Sequence, residues 1–207
     1  MDSLLIKERY VDGDFMYIGV VCDGVGSMEN GAFASSVAIQ LISDWFERLD
    51  DKARLGLRLR DCVVAINTQV LKEANERGLK TATTLSALLL AGEKYYIVHT
   101  GDSRIYSMKD GVLKHLTQDQ VLNGKLTSCL GRREKMDLFY DERNYDGEDF
   151  LLCTDGMYKR MNEKFLCDEL SKIRRKNMRK SMEELARYTI EQGEHDNISL
   201  ALLVHER

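Results

Sequence analysis

The chain has 207 residues, enough for one sizeable domain whose core needs neither disulfides nor a structural metal. Hydrophobic residues make up 43% and charged residues 31%, a globular balance that excludes a disordered or collagen-like chain. With 30 basic residues against 34 acidic ones the net charge is −4, which gives no electrostatic basis for a nucleic-acid partner.

Proline is absent, where about 5% is usual, so turns fall to Gly, Asn and Asp. The five cysteines are widely spaced and contain no C-x-x-C pair, which reads as buried thiols in a reducing compartment. The N-terminus has no basic region followed by an apolar run, and no stretch approaches the length of a membrane span. A cytoplasmic protein with no membrane association is expected.

In chain order, Ser3 to Arg9 and Phe15 to Cys22 are rich in β-formers and flank a turn at Asp12-Gly13-Asp14, the pattern of a hairpin. After the glycine-bearing segment Asp23 to Gly31, a helix is predicted from Phe33 to Leu49. Its apolar residues Ala34, Val37, Ala38, Leu41, Ile42 and Trp45 recur at three- and four-residue steps. Leu59, Cys62, Val63, Ile66, Val70 and Ala74 repeat the pattern, predicting an antiparallel helix pair. Thr83 to Ala91, Lys94 to Thr100, Arg104 to Met108 and Val112 to Leu116 then read as a β-meander. Strands near Met136 to Glu142 and Asp149 to Thr154 follow. Helices around Glu163 to Ile173 and Met182 to Gln192 come next, and a last strand covers Asn197 to Val204. Paired helices between runs of antiparallel strands predict an α+β class, a layered sandwich in one domain over residues 1–207. The run Lys172 to Lys180 carries six basic residues, either a solvated helix connection or a docking patch for an acidic partner.

Four aspartates share one local context. Asp23 follows the apolar YIGVVC and precedes Gly24; Asp155 follows FLLCT and precedes Gly156; Asp102 lies in TGDSR; Asp196 lies in HDNIS. Each sits where a strand meets a turn, and singly each reads as turn chemistry. Together they point to one rim of a packed sheet. Two ionised carboxylates about 4 Å apart repel by about 4 kcal/mol at an effective dielectric near 20, so such a cluster needs a proton or a multivalent cation. Oxygen-only ligands favour Mg²⁺ or Mn²⁺ over Zn²⁺.

At this point the sequence resembles a known family. DGVGS at Asp23 to Ser27, GDSRIY at Gly101 to Tyr106, TDG at Thr154 to Gly156 and DNIS at Asp196 to Ser199 are similar to motifs of the metal-dependent protein phosphatases, the protein phosphatase 2C family. TATTLSALLL and DGVLKHLTQD extend the resemblance over nearly the whole chain, in the right order. It implies a four-layer α-β-β-α sandwich, two antiparallel sheets flanked by antiparallel helix pairs. It implies two Mn²⁺ or Mg²⁺ ions sharing Asp23, with the Gly24 carbonyl on one ion and Asp155 and Asp196 on the other. A third, weaker ion would sit at Asp102, and Asn197 would orient the Asp196 turn. The implied reaction is hydrolysis of phosphoserine or phosphothreonine in proteins by a metal-activated water, with no phospho-enzyme. Catalysis would thus rest on Asp23, Asp155 and Asp196, while Cys22 and Cys153 would be inert strand-end residues.

Two departures from the family pattern stand out. Members begin with a strand and an Arg-containing motif ending in Asn- or Gln-Glu-Asp; here the chain opens Met1-Asp2-Ser3, so only Asp2 matches and the phosphate-contacting arginine has no counterpart. A missing outer strand would expose a sheet edge, from which a monomer or weak dimer is expected. The flap segment is also short, only Gln120 to Cys129. Arg104 reads first as a structural residue and second as the cation nearest a bound phosphate, with Arg132 and Arg133 weaker candidates for the same role; no substrate-phosphate residue is assigned. Val25 matches bacterial relatives, which are apolar where many eukaryotic ones carry histidine. The alternative reading is a catalytically weak phosphoprotein-binding or regulatory module on the same fold. A nucleotide-binding enzyme fits poorly, because Gly24-Val25-Gly26 lacks the spacing to Gly31 and no P-loop occurs.

Overall fold

A computed structural model describes residues 1–26 and 30–205; Ser27, the last residue of DGVGS, lies outside them. The chain begins with a long hairpin, β1 (Asp2–Val11) and β2 (Asp14–Asp23), closed by a two-residue turn at Asp12-Gly13. Helices α1 (Gly31–Glu47) and α2 (Leu55–Glu76) follow as a pair. Next come β3 (Leu85–Ala91), β4 (Lys94–Thr100), β5 (Arg104–Lys109) and β6 (Val112–His115). A small hairpin of β7 (Val121–Leu122) and β8 (Lys125–Leu126) precedes β9 (Phe139–Asn144) and β10 (Asp149–Cys153). Helices α3 (Asp155–Tyr158), α4 (Glu163–Lys172) and α5 (Met178–Glu191) lead to β11 (Leu200–Leu203).

Two antiparallel sheets form the centre, one in the order β1-β2-β3-β4-β9 and the other β11-β10-β5-β6. The predicted meander is therefore divided. β3 and β4 belong to the first sheet, and β5 and β6 to the second. The crossing falls at Gly101, whose φ of +112° suits glycine, and whose added Cβ would lie 2.6 Å from Thr84 Cγ2. The strands were legible from their period; the change of sheet was not, because hairpin and crossover share the same turn residues.

Three apolar layers hold the four structural layers together. On β2, Met16, Ile18, Val20 and Cys22 face α1 and α2, packing with Ala38, Ile42, Phe46, Leu59, Val63 and Val70. Between the sheets lie Val21, Leu88, Ile97, Ile105, Phe150 and Leu152. On the far side, Leu151 and Cys153 of β10 meet Leu166, Leu170 and Leu185 of α4 and α5. All five residues of β10 are buried, which explains why FLLC reads as a continuous apolar run and not as an alternation. The class expected from the sequence, α+β in four layers, is the one observed. The N-cap of α4 is Asn162, whose side chain accepts from Phe165 N–H at 3.0 Å.

Candidate metal centre

The strand ends deliver carboxylates to one rim. Asp23 ends β2, opposite Asp2 at the start of β1. Its backbone is clamped by the strand beside it. The Asp23 N–H donates to Thr84 Oγ1 at 2.9 Å, and its carbonyl accepts from Thr83 Oγ1 and from Thr84 N–H, both at 2.9 Å. The next residue, Gly24, touches backbone. A Cβ there would lie 2.6 Å from Gly31 C, Gly31 O and Met1 O, so no side chain fits between the Asp23 turn and the start of α1.

Asp155 opens α3 immediately after β10 and is buried, as is the preceding Thr154. Thr154 Oγ1 donates to Asp2 Oδ2 at 2.8 Å, tying the first carboxylate of the chain to the strand end that carries Asp155. The Asp2 side chain is only 5% exposed. Asp102 lies at the crossing between sheets, and its carbonyl accepts from Tyr158 Oη at 2.9 Å.

The electrostatics report the crowding. Burial pushes the Asp23 carboxyl up to about 9, helped by the charges of Asp155, Asp2 and Asp102. Burial, then the charge of Asp155, raises Asp102 to about 6. Among the described residues, Asp155 Oδ1 is a buried oxygen without a hydrogen-bond partner. Its other oxygen, Oδ2, pairs with the Lys159 ammonium one helical turn on. Burial pulls that ammonium down, but the hydrogen bond to Asp155 and the charges of Asp155, Asp102 and Asp196 outweigh it and raise its pKa. A buried oxygen lacking a partner, beside carboxylates that suppress each other's ionisation, is a donor set suited to a hard divalent cation.

Asp196 stands apart from that group. It is exposed, its N–H donates to Glu194 Oε1 at 3.0 Å, and its Oδ1 accepts from Asn197 N–H at 2.7 Å. It does flank Asp155: a Cβ on Gly156 would lie 3.3 Å from Asp196 Cβ and 2.3 Å from the Asn197 carbonyl oxygen. Its charge acts on Lys159. Accordingly, no three His, Cys, Asp or Glu side chains among the described residues already stand in a closed metal-binding group.

The family profile described as protein phosphatase 2C matches residues 5–196. The chain belongs to that family. A putative protein phosphatase of Mycoplasma genitalium is 26% identical over 89% of this chain and 83% of its own. The serine/threonine protein phosphatase PstP of Mycobacterium tuberculosis is 27% identical over 91% of this chain, which spans 41% of the PstP length. A solved catalytic domain of PstP, in complex with two manganese ions, superposes with a TM-score of 0.78 at 24% identity, covering 98% of this chain and 96% of that one. The phosphatase Stp1 from Staphylococcus aureus superposes with a TM-score of 0.88 at 19% identity, covering 100% of this chain and 89% of that one. The enzyme class expected from the motifs is the one these bacterial relatives carry in their names.

Within this phosphatase, the structure brings Asp23, Asp155, Asp102 and Asp2 together and leaves Asp196 at the margin. Arg104 holds the structural role, not that of a free cation awaiting phosphate. Its Nε and Nη2 bind Asp119 at 2.9 and 2.6 Å, and its guanidinium stacks 3.6 Å above the Tyr158 ring. Arg132 likewise donates to the Leu126 carbonyl at 3.0 Å. Cys22, Cys129 and Cys153 are buried as expected, whereas Cys62 and Cys167 are only half-buried. Burial pushes Cys22 far up and Cys153 up to about 12, so neither is a nucleophile. Sequence reasoning missed Lys159, although its i,i+4 spacing from Asp155 in TDGMYK was the available signal. It also missed the Thr84–Ser103 hydroxyl pair, 2.6 Å apart, whose long separation in sequence carries no signal. No helix among the described residues is long and apolar enough to cross a membrane.

Proposed function

We propose that this chain hydrolyses phosphoserine and phosphothreonine in phosphorylated proteins, with two Mn²⁺ or Mg²⁺ ions held by Asp23, Asp155, Asp196 and the Gly24 carbonyl, and a weaker third at Asp102. The observation that carries this reading is the unpartnered, buried Asp155 Oδ1 beside an Asp23 whose ionisation its acidic neighbours oppose. Bound ions supply an activated water and charge for the phosphoryl oxygens. The chain's own part is positional. Thr83 and Thr84 fix the Asp23 backbone, and Asp2 with Thr154 ties β1 to the Asp155 strand end. Tyr158 fixes the carbonyl of Asp102, and the ammonium of Lys159 must leave Asp155 Oδ2 for that carboxylate to serve an ion. Residues 1–207 would act as one catalytic domain.

The test is phosphate release from a phosphothreonine peptide with and without Mn²⁺. Turnover should require the metal and be lost in Asp23→Asn and Asp155→Asn. Metal-independent turnover, or full activity in both variants, would overturn the proposal. The exposed position of Asp196 and the ion pair on Asp155 favour a second reading, a phosphoprotein-recognition module with weak turnover. It predicts saturable phosphopeptide binding that Mn²⁺ does not convert into phosphate release.

A further inference from the structure

The cations around the carboxylate rim differ in what holds them. Arg104 is bound to Asp119 through two of its nitrogens and is stacked on Tyr158. Arg132 donates to the Leu126 carbonyl. Arg160 pairs at 3.9 Å with Glu194, a side chain that also accepts from the His195 and Asp196 N–H groups and so belongs to their loop. Lys159 differs in kind. Its ammonium rests on Asp155 Oδ2, and the other oxygen of that carboxylate is the one without a hydrogen-bond partner. Among the described residues, its ion pair is with Asp155 alone.

The backbone of Lys159 is fixed while its stem is free. Its N–H donates to the Asp155 carbonyl at 3.0 Å, and its side chain is 54% exposed. The neighbouring Tyr158 is pinned twice, by its Oη on the Asp102 carbonyl and by the Arg104 guanidinium above its ring. The base of the lysine is thus anchored to the Asp155 turn and the Asp102 turn together, and its charge acts on both carboxylates. A flexible stem carrying a compact ammonium can exchange one acceptor for another without disturbing the helix.

Metal loading reverses the surroundings of this ammonium. Without ions it faces an excess of negative charge and lies on it. With Asp23 and Asp155 turned to divalent ions, it loses its acceptor and is repelled by like charge. A phosphoryl group brought to those ions returns the missing negative charge, on oxygens that an ammonium binds strongly. We propose that Lys159 is the substrate-phosphate residue of this chain: its ammonium leaves Asp155 when the site loads and binds a phosphoryl oxygen of the phosphoserine or phosphothreonine. This deepens the proposed function and rests on it. The role has two signs. The ammonium competes with ions for Asp155 and attracts phosphate, so its removal favours the metal and disfavours the anion. A residue that only supported the fold would on removal weaken both.

The experiment titrates the full chain with Mg²⁺, then the Mg²⁺-loaded chain with inorganic phosphate, both by isothermal titration calorimetry. Lys159→Met should bind Mg²⁺ no less tightly than the parent chain and phosphate about tenfold more weakly, the loss of one charge-assisted hydrogen bond. Lys159→Arg keeps the charge and should restore most of the phosphate affinity. Arg133→Met removes an exposed cation whose charge falls on Cys129, and should leave phosphate binding unchanged. No phosphate binding by the loaded parent chain, an affinity untouched by Lys159→Met, or an equal loss in Arg133→Met would overturn the assignment and leave the metal centre standing. So would a Lys159→Met chain that loses Mg²⁺ and phosphate together, because Lys159 would then be a support of the fold. A parent chain that binds no Mg²⁺ would overturn the proposed function, and this assignment with it.

Discussion

Lys159 is the residue that most changes how the site is understood. Its ammonium pairs with Asp155 Oδ2 and feels the charges of Asp102 and Asp196, so it stands among three of the four carboxylates expected to hold ions. A cation covalently attached to the site competes with cations from solution. Its side chain is 54% exposed, and a solvent-screened pair of this kind contributes about 1 kcal/mol or less. Lys159→Met should therefore tighten Mn²⁺ binding by up to about fivefold in isothermal titration calorimetry, before any turnover is considered. An unchanged or weaker affinity would show that the ammonium leaves at no cost and takes no part in metal loading.

At the scale of elements, the site depends on how closely α1 approaches the end of β2. A Cβ on Gly31 would lie 2.7 Å from Gly24 C and 2.9 Å from Val25 N and O, all of them backbone atoms that cannot swing aside. Gly31→Ala should push the start of α1 away from the Asp23 turn at a cost of about 2 kcal/mol. For a chain of this length that lowers Tm by about 4–8 °C. Mn²⁺ affinity should fall with it, since the Gly24 carbonyl moves; a melt shifted without loss of metal binding would separate the contact from the site. Much of this element order was legible in the sequence. Period and turn residues located both helix pairs and most strands, because burial on one face writes itself into spacing. What spacing could not carry was partnership. The division of the β3–β6 run between sheets, the fully buried β10, the Asp2–Thr154 link and the withdrawn position of Asp196 arise from contacts between residues far apart in the chain. The same limit left the partner of Arg104 unnamed, because Asp119 lies fifteen residues away.

The whole molecule should carry two opposed pH dependences, one from each buried ionisable centre. His99 is buried between Ser86 Oγ at 2.8 Å and the Gln118 carbonyl at 3.1 Å, and burial lowers its pKa from 6.5 to about 4. Below pH 6.5 the unfolded chain binds a proton there that the folded chain refuses, so stability is lost as pH falls toward 4, by on the order of 3 kcal/mol. Asp23 has the opposite sign. Its folded pKa of about 9 lies above the ordinary 3.8, so the folded, metal-free protein holds a proton that the unfolded chain has released. Stability then falls as pH rises through that window, by up to about 1.4 kcal/mol per pH unit for a single proton. A divalent ion substitutes for the proton and should remove this second slope. Urea unfolding between pH 5 and pH 8 is expected to show a stability in EDTA that declines above pH 6.5, and one in Mg²⁺ that does not. The gap between the two curves should widen with pH, because the metal binds the deprotonated ligands. Parallel curves would mean that Asp23 ionises freely without metal, and the crowding of carboxylates on which the proposed chemistry stands would be absent.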